Sequence, residues 1–255
     1  MTDFLSVEQQ LQAAFPALAP ASPSGNGMVQ YRLDQAQLPE IARHLHHQLH
    51  GRLALLFAVD NRPNREAHAL HYLFAFGARQ PWVLLTTEMA GQNRLFTSIT
   101  PTIHAAQWYE REIRDMFGLI PQGHPDLRRL VRHEHWPKGT HPLEKAVPWN
   151  TTMERQQGEY RFRHIEGEGV FEVPVGPIHA GIIEPGHFRF SVAGEPIMQL
   201  EVRHFWKHRG IEKLFEQQPL TAAAPLAERV SGDTTVGHSL AYCQAVETIL
   251  GIDVP

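Results

Sequence analysis

Between Pro121 and Gly169 the chain has few apolar runs, and this gap restricts the available folds more than any other feature. A stretch rich in Pro, Gly, His and Arg supplies no core of its own. It reads as an extended segment joining two bodies, each of which must find its core elsewhere. The 255 residues allow that division, since they suit one large domain or two of ordinary size.

The first body carries two periodicities. Residues 5–15 read as a short helix through Leu5, Leu11 and Phe15, and Pro16 to Gly27 reads as a loop or linker. Leu38 to Leu49 looks helical. Four strand-like runs follow at 53–59, 69–76, 82–87 and 95–99, with Asp60 to Asn64 as a turn between the first two. Ala106, Tyr109, Ile113 and Met116 then recur at helical spacing, predicting a helix over 103–117 that Gly118 ends. Glu110–Arg114 and Arg111–Asp115 are i,i+4 pairs on it, each worth about 0.2–0.5 kcal/mol. A helix followed by antiparallel strands is an α+β pattern.

In the second body Phe188, Phe190 and Val192 alternate with polar residues, as do Met198, Leu200 and Val202. Ala193 to Pro196 separates the runs, so they predict a β-hairpin. Helices are expected over 210–217, 222–230 and 234–250, the last capped by Asp233 and Gly251, with Val236, Leu240, Cys243 and Leu250 along one side. The chain stops four residues after Gly251, where a domain has only just become helical. A truncated chain or an incomplete partner of a larger fold is therefore expected. The domain boundaries expected from these patterns are 1–29, 30–120, 121–169 and 170–255.

Composition excludes several functions. The 23 basic and 27 acidic side chains sum to −4 with neutral histidine, which leaves no global electrostatic case for nucleic acid. The 17 histidines are unusual, but surface positions are the default for most of them. The single cysteine, Cys243, cannot form an internal disulfide, and an iron–sulfur cluster normally needs several thiolates. Apolar runs such as Leu53 to Val59 are far shorter than the roughly 20 residues that span a bilayer. The start, MTDFLSVEQQLQAAF, lacks the basic and apolar regions of a signal peptide. Glycine loops for dinucleotides or phosphates and the Gly-x-Ser-x-Gly elbow are absent, so neither NADH nor nucleotide is expected to bind.

The run Trp108 to Val131, WYEREIRDMFGLIPQGHPDLRRLV, resembles the smaller hydrophilic-arm subunit of complex I, the 30K or C subunit, over roughly residues 30–145. Its Glu110, Arg111, Glu112, Asp115, His124, Asp126, Arg128 and Arg129 are docking candidates. Glu112, at the edge of the apolar face, needs a partner if half-buried. Arg128 and Arg129 are candidates, with the 124–130 tail folding back on the helix or clamping a neighbouring subunit. The alternative is an ordinary exposed ion-pair helix.

The runs VPVGPIHAGIIEPGHFRF (173–190), HFWKHRGIEKL (204–214) and VSGDTTVGHSLAYCQAVE (230–247) resemble the start of the large subunit of membrane-bound nickel–iron hydrogenases and the 49K or D subunit of complex I. Fused C-like and D-like parts in this order resemble the formate-hydrogenlyase type. The fold class implied is α+β: a helix-plus-antiparallel-sheet domain, an extended linker, and the β-hairpin and helical start of a hydrogenase-large-subunit-like domain. In catalytic relatives the turn around 231–234 carries a Cys-x-x-Cys pair whose soft thiolates bind nickel and iron. Ser231 and Thr234 stand there, while His238 is kept and Cys243 matches no ligand position. The resemblance therefore implies no nickel–iron centre in this chain.

It further implies a pocket beside a partner's iron–sulfur cluster, in which Glu184, His179 and His187 can relay protons. Trp206 stands where complex I places a quinone-binding tyrosine. Its N–H only donates, which puts quinone binding of that kind in doubt. Arg209 and Lys213 lie four apart beside His208 and can hold a partner carboxylate or set the electrostatics of a nearby cluster. Core or interface packing is the plain reading of each of these residues. The leading reading is a peripheral, cytoplasmic-side subunit on the inner face of the cell membrane. Its expected partners are a small iron–sulfur subunit, other hydrophilic-arm subunits and antiporter-like membrane subunits. The alternatives are a catalytic hydrogenase fragment and a non-catalytic assembly or docking protein.

Overall fold

A computed structural model describes residues 6–25, 27–77 and 80–252. It is a mixed α+β fold that divides into two compact units: Met1–Leu130 with Lys138–Ala146, and Val131–Pro137 with Val147–Pro255.

In the first unit, helix α1 (Val7–Ala14) starts at a capping box. Ser6 accepts from the Gln9 amide, and the Gln9 side chain accepts from the Ser6 amide. Leu5, expected in this helix, lies outside the described residues. The Pro16–Gly27 stretch is not simply a loop, because β1 (Pro20–Gly25) pairs antiparallel with β2 (Met28–Arg32). An edge strand tolerates Pro and small residues because it needs ladder bonds on one side only. β2 has the alternating burial of a strand, with Val29 and Tyr31 fully buried, yet it lies outside every run that the apolar pattern picks out.

Strands β3 (Arg52–Asp60), β4 (Ala67–Ala75) and β5 (Trp82–Ala90) match the first three apolar runs. Helix α3 (Arg62–Arg65) occupies the expected turn. The sheet order is β1-β2-β5-β4-β3, antiparallel except where β2 runs parallel to β5. The fourth run shrinks to β6 (Leu95–Thr97), which leaves this sheet and pairs in parallel with β7 (Ile120–Gln122).

Helix α2 (Leu38–Arg43) continues as a π-helical turn over 44–48. Together with α4 (Gln107–Phe117) it contributes buried Ile41, Leu45, Ile113 and Met116 to the core beside Leu56, Tyr72 and Leu85 of the sheet. Gly118 ends α4 at φ 71. A Cβ there would sit 2.7 Å from the His141 ring, which bonds the Asp115 carbonyl.

In the second unit β8 (Val170–Val175), β9 (His187–Ala193) and β10 (Ile197–Arg203) form an antiparallel sheet of order β10-β9-β8, which contains the expected hairpin. The helices are shorter than expected. α5 spans Ile211–Phe215, and the 222–230 segment holds only α6 (Ala224–Ala227) after a 3-10 turn at 220–222. Helix α7 (Thr235–Leu250) begins one residue later than expected, with Thr234 rather than Asp233 at its N-cap and no side-chain cap bond, and Gly251 closes it. No described helix is long and apolar enough to cross a membrane.

Gly118→Ala places a Cβ in left-handed backbone and against a ring. It should cost about 1–2 kcal/mol, read as a lower midpoint in chemical unfolding with an unchanged slope.

Candidate functional site

Two places collect the chemistry-bearing residues, one in each unit. The first is built on α4. Glu110 is fully buried. Its carboxylate accepts from the Ser98 hydroxyl (2.5 Å), the Ile99 amide (2.8 Å) and the Thr100 hydroxyl (2.7 Å). Burial pushes its pKa up, and these hydrogen bonds pull against that shift. Arg114, expected to pair with Glu110, instead donates to the Leu127 carbonyl at 2.7 Å. Arg111 donates to the Arg128 and Arg129 carbonyls, and Asp115 accepts from the Leu130 amide.

The 124–130 tail therefore folds back on the helix, held mainly through its own backbone. His124 Nδ1 accepts from the Asp126 amide, so the ring proton sits on Nε2 and is donated to the Gln107 carbonyl. Arg128 forks onto Asp126 at 2.8–3.1 Å, and Glu112 is half-buried. Burial alone would raise Asp126. Its bonds from Arg128 and the nearby Arg111 guanidinium outweigh burial and bring it down to about 2.

A second buried charge cluster in this unit has no counterpart in the sequence motifs. Asp60 accepts from Arg62 and from the Lys145 amide, and Arg94 pairs with Glu144. Burial opposes ionisation of Asp60, yet these bonds hold it well below the usual carboxylate range. His68 is completely buried, without a hydrogen bond, 3.8 Å from Asp60, and burial lowers its pKa.

The second place is a cavity of about 630 Å³ lined by Glu184, Trp206, Lys207, Arg209, Phe215 and Val230, among others. Lys207 and Arg209 each lie 3.8 Å from the Glu184 carboxylate. The other guanidinium nitrogen of Arg209 donates to the Arg229 (2.6 Å) and Val230 (3.0 Å) carbonyls, directly before Ser231. Phe205 takes φ 62, a left-handed conformation that costs a non-glycine residue about 1–3 kcal/mol. Its neighbours His204 and Trp206 both line the cavity. Behind Trp206, His133 packs edge-on at 4.9 Å and bonds the His204 carbonyl. Burial lowers its pKa. His208 pairs with Glu212, and Lys213 with Glu216.

Of the expected pocket residues, Glu184, Trp206, His208 and Arg209 converge. His179 and His187 do not line the cavity. His179 Nε2 bonds the Gly186 carbonyl and His187 Nδ1 bonds the Gly176 carbonyl, so both clip the base of the 176–186 loop. That base is tight: at Gly176, φ 77, a Cβ would meet the Gly186 oxygen at 2.2 Å. Ser231 is half-buried and Thr234 exposed, in a 3-10 turn. Their hydroxyls are hard donors beside a guanidinium, so this turn does not fit a nickel–iron centre.

The family described as "Respiratory-chain NADH dehydrogenase, 30 Kd subunit" matches residues 31–153. The chain is 40% identical over 223 residues to hydrogenase-4 component G of Escherichia coli (strain K12), a match covering 86% of this chain and 40% of that protein. It is 38% identical to formate hydrogenlyase subunit 5 of the same organism, over 86% and 39% of the two chains. It is 30% identical to the C/D subunit of NADH-quinone oxidoreductase from Methylococcus capsulatus, over 86% and 42%. The chain thus spans about two fifths of the length of these relatives.

The Asp126 carboxylate titrates lower folded than unfolded. The stability it contributes is present above about pH 4 and is lost as pH falls through about 2. Asp126→Asn should lower stability at pH 7 and flatten its dependence on pH between about 4 and 2, measured by urea unfolding across that range.

Proposed function

From a chain whose residues 31–153 form a complex I 30 kDa-type domain, we propose a peripheral subunit of a membrane-bound, ion-translocating electron-transfer complex of the NADH-quinone oxidoreductase and hydrogenase-4 kind. The first unit is its docking body, set beside other hydrophilic-arm subunits and antiporter-like membrane subunits on the inner face of the membrane. The second unit seats a small iron–sulfur subunit and presents the Glu184 pocket to it.

The observation that carries this reading is the pocket's composition. A carboxylate faces two cations at 3.8 Å, and Trp206, Ile211, Phe215 and Val230 supply an apolar wall. A carboxylate beside two cations at an apolar wall can relay a proton to a reduced acceptor oxygen. A quinone head group is the acceptor we propose. A quinone supplies a two-electron, two-proton acceptor when bound. Here Trp206 offers a ring face, Lys207 and Arg209 offer donors, and the Glu184 carboxylate offers a relay point for a proton. His179 and His187 position the loop that carries Glu184. No step runs through nickel and iron, since Ser231 and Thr234 are poor ligands for soft metals.

Docking alone is the second reading. It is favoured by the exposed Phe171, Ile197 and Leu200 on the second unit's sheet, whereas Glu110, Arg111, Asp115 and Asp126 bond within the first unit. Glu184→Gln and Trp206→Leu in the assembled complex separate the two. The pocket reading expects the partners retained, turnover down about 10²-fold for Glu184→Gln, and a raised KM for the acceptor with Trp206→Leu. Unchanged turnover in an intact complex leaves docking alone.

A further inference from the structure

The sheet of the second unit buries its charges and exposes its oil. Register aligns Phe171, Val192 and Ile197 in one row, Val173, Phe190 and Leu200 in the next, and Val175, Phe188 and Val202 in the third. All nine share one face, because side chains alternate along each strand and a register irregularity between Ile197 and Gln199 brings Ile197 opposite Val192. That face is open: Phe171 is 54% exposed, Ile197 58% and Leu200 48%.

The opposite face carries Glu172, Arg189, Glu201, His187 and Arg203, and the 160–164 strap covers it. The Tyr160 hydroxyl (2.5 Å) and the Arg163 amide (2.8 Å) both donate to Glu201. The Arg203 guanidinium stacks on Tyr160 at 3.8 Å, and the Arg189 guanidinium on Phe162 at 4.0 Å. Flipping the sheet would expose these paired ions and leave the strap without partners, so its orientation is fixed.

Five of the nine, Phe171, Val173, Val175, Ile197 and Leu200, are exposed while Val192 is buried, and an apolar patch of that kind is the mark of an interface. Three strands span two spacings of about 4.8 Å, so the face is about 10 Å wide, the diameter of one helix. Helix α7 supports a helical cover. It buries none of its residues, and its Val236 (79%), Leu240, Ile249 and Leu250 are exposed. A helix of that composition belongs in a packed layer. The relatives carry about three fifths of their length beyond the part this chain matches.

We infer that the Phe171–Phe190–Leu200 face is the seat of an apolar helix from the body that corresponds to that remaining three fifths, packed in one layer with α7.

The test joins this chain to the part of Escherichia coli hydrogenase-4 component G that it does not match, and compares the fusion with the chain alone by hydrogen exchange. Amides 197–203 should exchange at least 10-fold more slowly in the fusion. Leu200→Glu in the fusion should return them to the rate of the isolated chain, while Leu55→Glu on the other unit's sheet should leave the protection intact. Leu200→Ser repeats the comparison if the glutamate variant fails to fold. Unchanged exchange in a folded fusion overturns the proposal, as does protection that survives both Leu200 variants. Sedimentation of the isolated chain closes the remaining case. A homodimer abolished by Leu200→Ser would give the face to a second copy and overturn the proposal as well.

Discussion

Glu110 has no exposed surface, and the order of the first unit depends on how that charge is housed. A carboxylate taken from water must recover several strong hydrogen bonds or give up its charge. Ser98, Ile99 and Thr100 supply three, and in doing so they fix the chain directly after β6 against the N-terminal half of α4. With the helix fixed there, its next polar side chains face the descending tail. Arg111, Arg114 and Asp115 then each take a backbone partner between Leu127 and Leu130. Leaving even one such buried donor unmatched costs about 1–3 kcal/mol. The helix and its tail are therefore one object, and the charged residues that look like a docking surface in the sequence are largely spent inside the domain.

The second unit uses charge in the opposite sense. Its strap turns arginines toward aromatic faces and a glutamate toward two donors, so that a polar layer becomes the buried side of a three-stranded sheet. An apolar core could do the same work in a free-standing domain at less cost in desolvation. Placing ions under the strap keeps the oily face available. The 176–186 loop follows the same logic. His179 and His187 lock its base, and Ile178, Ile182 and Ile183 project from it into solvent. A rigid base beneath an apolar tip suits contact with another surface.

These features are unevenly legible in the sequence. β3, β4, β5 and α4 can be read there because burial on one face imprints a period of two or 3.6 on the residues. β1 cannot, since Pro20 to Gly25 is held through its backbone to β2 and needs no apolar pattern. The hairpin β9–β10 is visible in its alternation. Alternation, however, does not say which face is covered, and that is decided by Tyr160 and Phe162, far back along the chain. The Asp60 cluster is invisible for the same reason: Arg94, Glu144 and Lys145 reach it from distant segments. Glu184, Trp206 and Arg209 can be grouped through their motifs. The direction in which His179 and His187 point is set by loop closure, to which spacing is blind.

The Ser231 turn shows how a site of this kind can hold together without metal ligands. Thiolates at 231 and 234 would bring negative charge and would need a cation to balance it. The hydroxyls bring none. Arg209 remains, and it donates to the two carbonyls that precede Ser231 while its second nitrogen stays 3.8 Å from Glu184. One guanidinium thereby links the 184 loop to the 229–231 turn. The charges at the cavity are paired: Glu184 faces Lys207 and Arg209, and Glu212 pairs with His208. Trp206, Phe215 and Val230 form the apolar wall beside them. On the proposed reading, Lys207 and Arg209 meet the acceptor oxygen as it gains electrons, and the Glu184 carboxylate relays the proton that neutralises it.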